Sequence, residues 1–536
     1  MNGAGDQRFR SRRSGGRCSM RFFGVAVRHP THPPVPGPMA GGAGQSHPQS
    51  RHSFLHGGMG PLIPTHERRG RALGTMAVRS GGTSSAALVH LAMVVLLAAA
   101  FPAQAHELPA DAPLAAEPPR RNVWLALGEV TAANAAIWSV NRFIRKTDWS
   151  EVSPEVWKRN LTGRIEWDAD KFTANQLDHP YHGGIYYNIG RDNGFSYWES
   201  GLLTFLGSLQ WEVFGENNPP STNDIINTSL GGLAVGEVLY RLSSMILDNG
   251  ATGWERGGLE VASGLLNPGR GLSRVVRGEA WRVGPTPPEW KPLHFAGFAR
   301  VGFLQEGAGA AEQAGQVQLF IGLGLRSGDP FLDDFHKPFD SFSVDARFIT
   351  RQDHFLSQAE VQGLLAVTSL VRRPRWQVLL GAYQFYDYVE IGSYQVGAQS
   401  FSGSLLYRHE LKGALDVRTS LDLRGVALAA ISSDPSETDG RGYDYGPGLG
   451  VTLRSALGSW PWEYVGLELE TSWIRTLNGA PNDHLIQEGR LHADIPVFRG
   501  LGLGGSVQLF RHDSLIPHGQ ADTQKSPRFQ VFVSWH

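Results

Sequence analysis

From Pro285 to His536 apolar and polar side chains alternate with period two. "QVQLFIGLGLR" sets Val317, Leu319, Ile321, Leu323 and Leu325 against Gln316, Gln318, Gly322, Gly324 and Arg326. "DVRTSLDLR" sets Val417, Thr419, Leu421 and Leu423 against Asp416, Arg418, Ser420, Asp422 and Arg424. "YVGLELETSW" repeats the theme, with Val465, Leu467, Leu469 and Trp473 opposite Glu468, Glu470 and Ser472. Successive strand residues point to opposite faces, so each segment has one oily and one polar side. About twelve such segments follow one another, separated by turn signals such as "RSGDP", "SSDPSETDGRG" and "NGAPND". An even strand number, segments near ten residues and frequent aromatics predict an antiparallel transmembrane barrel. A soluble sandwich or lipocalin-like barrel would turn the same oily face inward. The aromatic-rich closing strand and the opposite charges on the polar face favour the bilayer. Asp345 with Arg347, and Asp416 with Arg418, imply a filled or narrow lumen.

Upstream the period changes. "NVWLALGEVTAANAAIWSVNRFIRK" (122–146), "SYWESGLLTFLGSLQWEVFG" (196–215) and "STNDIINTSLGGLAVGEVLYRLSSMIL" (221–247) predict three helices. Ser221 with Asp224 three residues on fits a capping box. None of these stretches is a continuous apolar run, so this half is expected on the periplasmic side, at the barrel mouth or inside the barrel. The predicted fold class is α+β: an N-terminal helical domain (106–284), then an outer-membrane β-barrel of about twelve strands (285–536).

The first 105 residues read as two further segments. Residues 1–75 are rich in Gly, Pro, Ser, His and Arg, and such a composition cannot offset the entropy of ordering. They are expected to be a disordered or mis-assigned leader. Residues 76–105 carry Arg79, an apolar run and the Ala103-Gln104-Ala105 site of a secretory signal peptide, so the mature chain is expected to begin at His106. Beyond residue 105 there are 37 basic and 48 acidic residues. That balance argues against nucleic-acid binding. The single cysteine, Cys18, precedes the cleavage site.

The helical half carries many ionisable and amide groups where packing is expected. Ser200, Thr204, Ser208 and Glu212 recur every four residues, on one helix face. Asn223, Asn227, Glu237 and Arg241 mark a face of the next helix, where Gly232 and Gly236 allow close approach. The two stripes are expected to meet. Upstream, Asp168, Asp170, Lys171, Asp178, His179 and His182 add titratable groups. One reading is a hydrogen-bonded network that fixes helix register. The other is a site. His179, Glu212 and Asp224 are then the candidate catalytic acid–base groups, with His182, Glu199, Asn223, Asn227, Glu237 and Arg241 as binding residues. The same carboxylates and imidazole offer a further reading as ligands of a divalent metal, but no HxxxH or HExxH element is present, nor a P-loop, GxSxG elbow or dinucleotide fingerprint, so no metal and no cofactor is expected.

"WDADKFTANQLDHPYHGGIYYN", "GFSYWESGLLTFLGSLQWEVFGE", "PPSTNDIINTSLGGLAVGEVLYRLSS" and "NPGRGLSRVVRGEAW" resemble the bacterial domain-of-unknown-function family 3943 over residues 160–281. The resemblance implies an exported protein with a β-rich C-terminal half and no established activity. A looser likeness is to the VanZ-like membrane proteins, carried by Asp170, Lys171, His179, Glu212, Ser221, Asp224, Asn227, Gly231 and Gly236. It implies a helical motif around a carboxylate cluster. The expected function is an outer-membrane barrel whose helical domain plugs, gates or supports it. The alternative is an envelope enzyme acting on lipid or cell-wall material. The expected partners are outer-membrane lipid and, during biogenesis, the barrel-assembly machinery.

Overall fold

A computed structural model describes residues 121–307, 315–350, 355–391, 394–433, 441–515 and 522–536. The leader, the signal segment and the His106 start lie outside the described residues. Twelve antiparallel strands close on themselves: each pairs with the next, and β1 (Phe295–Glu306) pairs with β12 (Asp522–Trp535). The others are β2 (Val317–Ser327), β3 (Phe342–Ile349), β4 (Leu356–Arg372), β5 (Trp376–Ile391), β6 (Tyr394–Glu410), β7 (Asp416–Ser432), β8 (Tyr443–Ser459), β9 (Trp462–Arg475), β10 (Asp483–Phe498) and β11 (Leu501–Leu515).

The polar face of the alternation points inward. Arg326 of β2 pairs with Glu463 of β9 at 2.8 Å, and Arg300 of β1 with Asp494 of β10 at 3.6 Å. Arg424 of β7 bridges Asp387 of β5 and Glu470 of β9. Tyr394 of β6 stacks on Phe510 of β11 with ring centroids 3.7 Å apart. Contacts between strands so far apart in the sheet run through the lumen. Charges there are costly unless paired, and the pairing leaves a cavity of about 400 Å³ among them. The outward side chains are apolar. Leu421, Leu423, Leu449, Val451, Leu453, Leu467, Leu469, Leu491, Leu503, Leu509 and Val531 are exposed. An exposed apolar band around a barrel with a charged interior is the arrangement a bilayer requires.

The helices precede the barrel in the chain. They are α1 (Val123–Ser139), continued by a π-helical segment (Val140–Arg145), α2 (Pro154–Thr162), α3 (His179–Asp192), α4 (Tyr197–Phe214), α5 (Thr222–Ile226), α6 (Gly232–Ile246), α7 (Gly253–Leu266) and α8 (Pro268–Val276). Two more π-helical segments, Ala174–Asp178 and Asn227–Gly231, lead into α3 and α6. The sequence pattern gave no sign of α3, which is central. A Cβ at Gly183 of α3 would lie 1.8 Å from the Thr228 carbonyl oxygen and 3.0 Å from Gly232 Cα. A Cβ at Gly184 would lie 3.4 Å from Gly236 Cα. The expected role of Gly232 and Gly236 is therefore real, but their partner is α3 and not the helix over 196–215.

The helices meet the barrel on its outer wall. Along β5, Tyr383, Phe385 and Asp387 line the lumen, while Leu380, Gln384, Tyr386 and Tyr388 have the opposite parity and face out. Leu380 is 46% exposed, whereas Tyr386 is 1% and Tyr388 0% exposed. The difference is the helical domain. Tyr386 donates from its hydroxyl to the Gln176 carbonyl at 2.6 Å, and Gln384 Nε2 donates to the Leu230 carbonyl at 2.9 Å. Phe172 packs on Tyr388 and Tyr443, and Trp167 on Tyr445. Outward residues of β2–β8, including Leu325, Val344, Ala346, Ala359, Leu428 and Ala430, share one apolar core with Leu233, Val238 and Leu242 of α6.

A carboxylate and histidine cluster between the helices and the barrel rim

The cluster forms where the two π-helical segments and the end of α4 converge, beside the start of β8. Such segments shift the helical register and re-aim side chains, often at functional sites. His179, at the head of α3, sets Nδ1 3.0 Å from Thr228 Oγ1 and Nε2 3.5 Å from Asp224 Oδ1. Glu212, in the last turn of α4, accepts from the Ser221 backbone N–H at 2.8 Å. Ser221 caps α5 by accepting from the Asp224 N–H at 3.3 Å. The expected capping box is thus half made: Glu212, and not Asp224, takes the cap's own N–H. One ligand-type atom from each of His179, Glu212 and Asp224 lies within 4.8 Å of the others.

Asn223 joins this group to Asp168. Its Nδ2 donates to Asp168 Oδ1 at 2.8 Å and to Asp224 Oδ1 at 3.0 Å, and its Oδ1 accepts from the Asp168 N–H at 3.0 Å. Asn175 donates both to Asp168 Oδ1 at 3.0 Å and to the Tyr443 hydroxyl at 2.8 Å. Tyr443 in turn donates to the Asp170 carbonyl at 2.6 Å. Arg441 reaches the Asp168 carbonyl at 3.2 Å and Asn478 Oδ1 at 2.6 Å, tying the cluster to the rim where β7–β8 and β9–β10 connect. The role of Asp168 as hub, and the contributions of Asn175, Thr228, Tyr443 and Arg441, were not legible. No spacing rule links residues this far apart in the chain.

Burial shapes the charges. It is the first cause that pushes Asp224 well above the usual carboxylate range, and the charges of Asp168 and Glu212 add to it. Burial works to raise Asp168 too, but hydrogen bonds from Asp224, Asn175 and Asn223 outweigh it and hold that carboxyl low. Asp224 is then the proton carrier of the pair and Asp168 its acceptor. Burial also lowers His179, which favours the neutral imidazole. A neutral base beside a protonated carboxyl is an arrangement that can both take and give a proton.

The other candidates fall elsewhere. His182 is half-buried, with Nε2 2.7 Å from the Tyr186 hydroxyl and its ring against Trp211, and desolvation pushes it down to about 3. Glu237 and Arg241 form a separate node. Glu237 accepts from Tyr187 at 2.8 Å, Arg191 at 2.9 Å and Arg241 at 2.9 Å, and Arg241 continues to Asp340 at 2.9 Å. That node ties α3 and α6 to the β2–β3 connection and holds no free acid. Glu199 lies apart from both groups. It completes the capping box of α4 with Ser196 and pairs with Arg121 at 2.9 Å, at the surface. Asn227 is fully buried one turn from Asp224, and neither of its amide atoms has a protein partner.

None of the curated proteins matches the chain. Solved structures similar to it are outer-membrane porins and channels. The NanC porin is 8% identical, with 45% of this chain and 100% of that chain covered and a TM-score of 0.25. The KdgM porin in complex with disordered oligogalacturonate is 10% identical over 45% and 98%, with a TM-score of 0.21. The outer membrane channel DcaP of Acinetobacter baumannii is 7% identical over 45% and 95%, with a TM-score of 0.19. The looser VanZ-like likeness is not borne out. Residues 164–269, the stretch that holds His179, Glu212, Asp224 and Asp168, match the family described as Domain of unknown function (DUF3943).

Proposed function

We propose that the chain is an outer-membrane protein of a Gram-negative envelope that uses its barrel as a wall and not as an open pore. In this reading a secretory signal exports it, the barrel-assembly machinery inserts it, and the helical domain sits beside the barrel in contact with lipid. The observation that carries the reading is the tyrosine row of β5 and β8. These side chains face out, as lipid-facing residues do, yet they are buried under helices. Other faces of the helical domain are apolar and uncovered. Trp198, Leu202, Phe205 and Leu206 of α4 are exposed, as are Val123, Trp124, Phe143 and Ile144 along α1 and its continuation. Val123–Arg145 is the one helix among the described residues long and apolar enough to cross a bilayer. An apolar surface of that extent is stable only against hydrocarbon or a partner.

A second reading is favoured by the cluster itself. Asp168, Asp224 and His179 form an acid–base set tied through Arg441 to the strand connections at the barrel rim. An envelope enzyme acting on lipid would reach its substrate there. The location is tested with nitroxide labels on single cysteines, the mature chain having none of its own. A label at Leu202 should be relaxed by oxygen and shielded from a polar nickel reagent, as a label at Leu467 is. A water-like response at Leu202 with a lipid-like one at Leu467 would place the helices outside the bilayer and end the proposal.

A further inference from the structure

We infer that His179, Glu212 and Asp224 form a binding site for a divalent cation of the zinc or manganese type. The donor set is one imidazole and two carboxylates, which such borderline cations accept. Two ligands on a tetrahedral zinc, each roughly 2.0–2.2 Å from the ion, stand about 3.4 Å apart. His179 Nε2 and Asp224 Oδ1 are already 3.5 Å apart, and Glu212 offers its oxygen within 4.8 Å of both. With a cation on Nε2, Nδ1 carries the proton and donates it to Thr228 Oγ1 at 3.0 Å, an outer-shell hydrogen bond that orients the ring.

Two further observations point the same way. Glu237 is met by two arginines, whereas among the described residues no Lys or Arg side chain forms an ion pair with Glu212, Asp224 or Asp168. Buried carboxylates without a counter-charge call for a proton or a cation. Two buried polar side chains beside the triad also lack any protein partner. Ser208 Oγ lies one turn from Glu212 on the same face of α4, and the Asn227 amide lies one turn from Asp224. Both are less than 2% exposed. They provide oxygen atoms of the kind that complete a coordination shell. The inference does not depend on which side of the helices faces lipid.

The full chain, refolded in detergent and stripped with a chelator, is titrated with zinc and with manganese by calorimetry. One equivalent should bind. His179→Gln, Glu212→Gln and Asp224→Asn should each weaken binding by roughly 100-fold or more, above the 10–100-fold that outer-shell partners give. His484→Gln, in the separate Asp444–His484–His512 chain, should leave binding unchanged. Absorption of the zinc-loaded wild type at the metal edge decides the case even where a variant fails to fold: one imidazole nitrogen with oxygen ligands supports the site. No stoichiometric uptake by the wild type, an all-oxygen shell, or binding lost with His484→Gln and kept in the triad variants would overturn it.

Discussion

Glu212 and Glu237 are both buried glutamates on adjacent helices, and their surroundings assign them different work. Glu237 accepts from Tyr187, Arg191 and Arg241. Removing its charge leaves Arg191 without a carboxylate, while Arg241 keeps Asp340, and breaking a buried pair in that way costs about 3–5 kcal/mol. Glu212 has one backbone donor and no cation. A glutamine there still accepts from Ser221 and sheds an unpaired charge. Thermal melting of chelator-treated protein should therefore drop for Glu237→Gln and stay level or rise for Glu212→Gln. Equal losses would mean that both positions belong to one structural network. The sequence showed both residues as interruptions of apolar faces. It could not separate them, because the arginine that distinguishes Glu237 most, Arg191, lies 46 residues away on a helix the periodicity did not reveal.

At the scale of elements, the strands were readable and the helix packing was not. Strand alternation depends only on neighbours along the chain, so "DVRTSLDLR" fixes which side chains share a face whatever covers them. Helix packing depends on which small residues meet. Gly232 and Gly236 announce a close approach but do not say to what. The answer lies in "HPYHGGIYYN", whose glycines and tyrosines mask its helical period. The contact is backbone against backbone: a methyl group at residue 183 would overlap the Thr228 carbonyl oxygen. Gly183→Ala should cost about 1–3 kcal/mol, the usual penalty of overpacking, or more. The displaced Thr228 would also release His179, so the variant should lose helical-domain protection in hydrogen exchange before barrel protection changes. Uniform loss across both would show that the helices and the barrel open as one unit.

For the whole molecule, the alternation established two faces and left open what each one meets. Of the tyrosines in "YQFYDYVE" and "YDY", Tyr386, Tyr388, Tyr443 and Tyr445 are seats for the helical domain, whereas Tyr383 lines the lumen. The inner face is legible from its charges: Arg418 holds Asp416 and Asp329, and Arg454 holds Asp422 and Glu468. These opposed environments make a paired test on neighbouring residues of β9. Leu467 is 41% exposed and points out, so Leu467→Arg should cost roughly 2–4 kcal/mol in vesicles if it lies near the bilayer midplane. Glu468 points in and pairs with Arg454 at 2.6 Å and Arg490 at 3.8 Å. Glu468→Gln should cost about 1–3 kcal/mol, because it leaves charged donors less well met. Urea titration of the vesicle-bound protein, read by the gel shift between folded and boiled samples, measures both. In water an exposed leucine tolerates arginine almost without cost. A silent Leu467→Arg beside a destabilising Glu468→Gln would therefore mean that the oily band faces something other than hydrocarbon, while the lumen network stands as described.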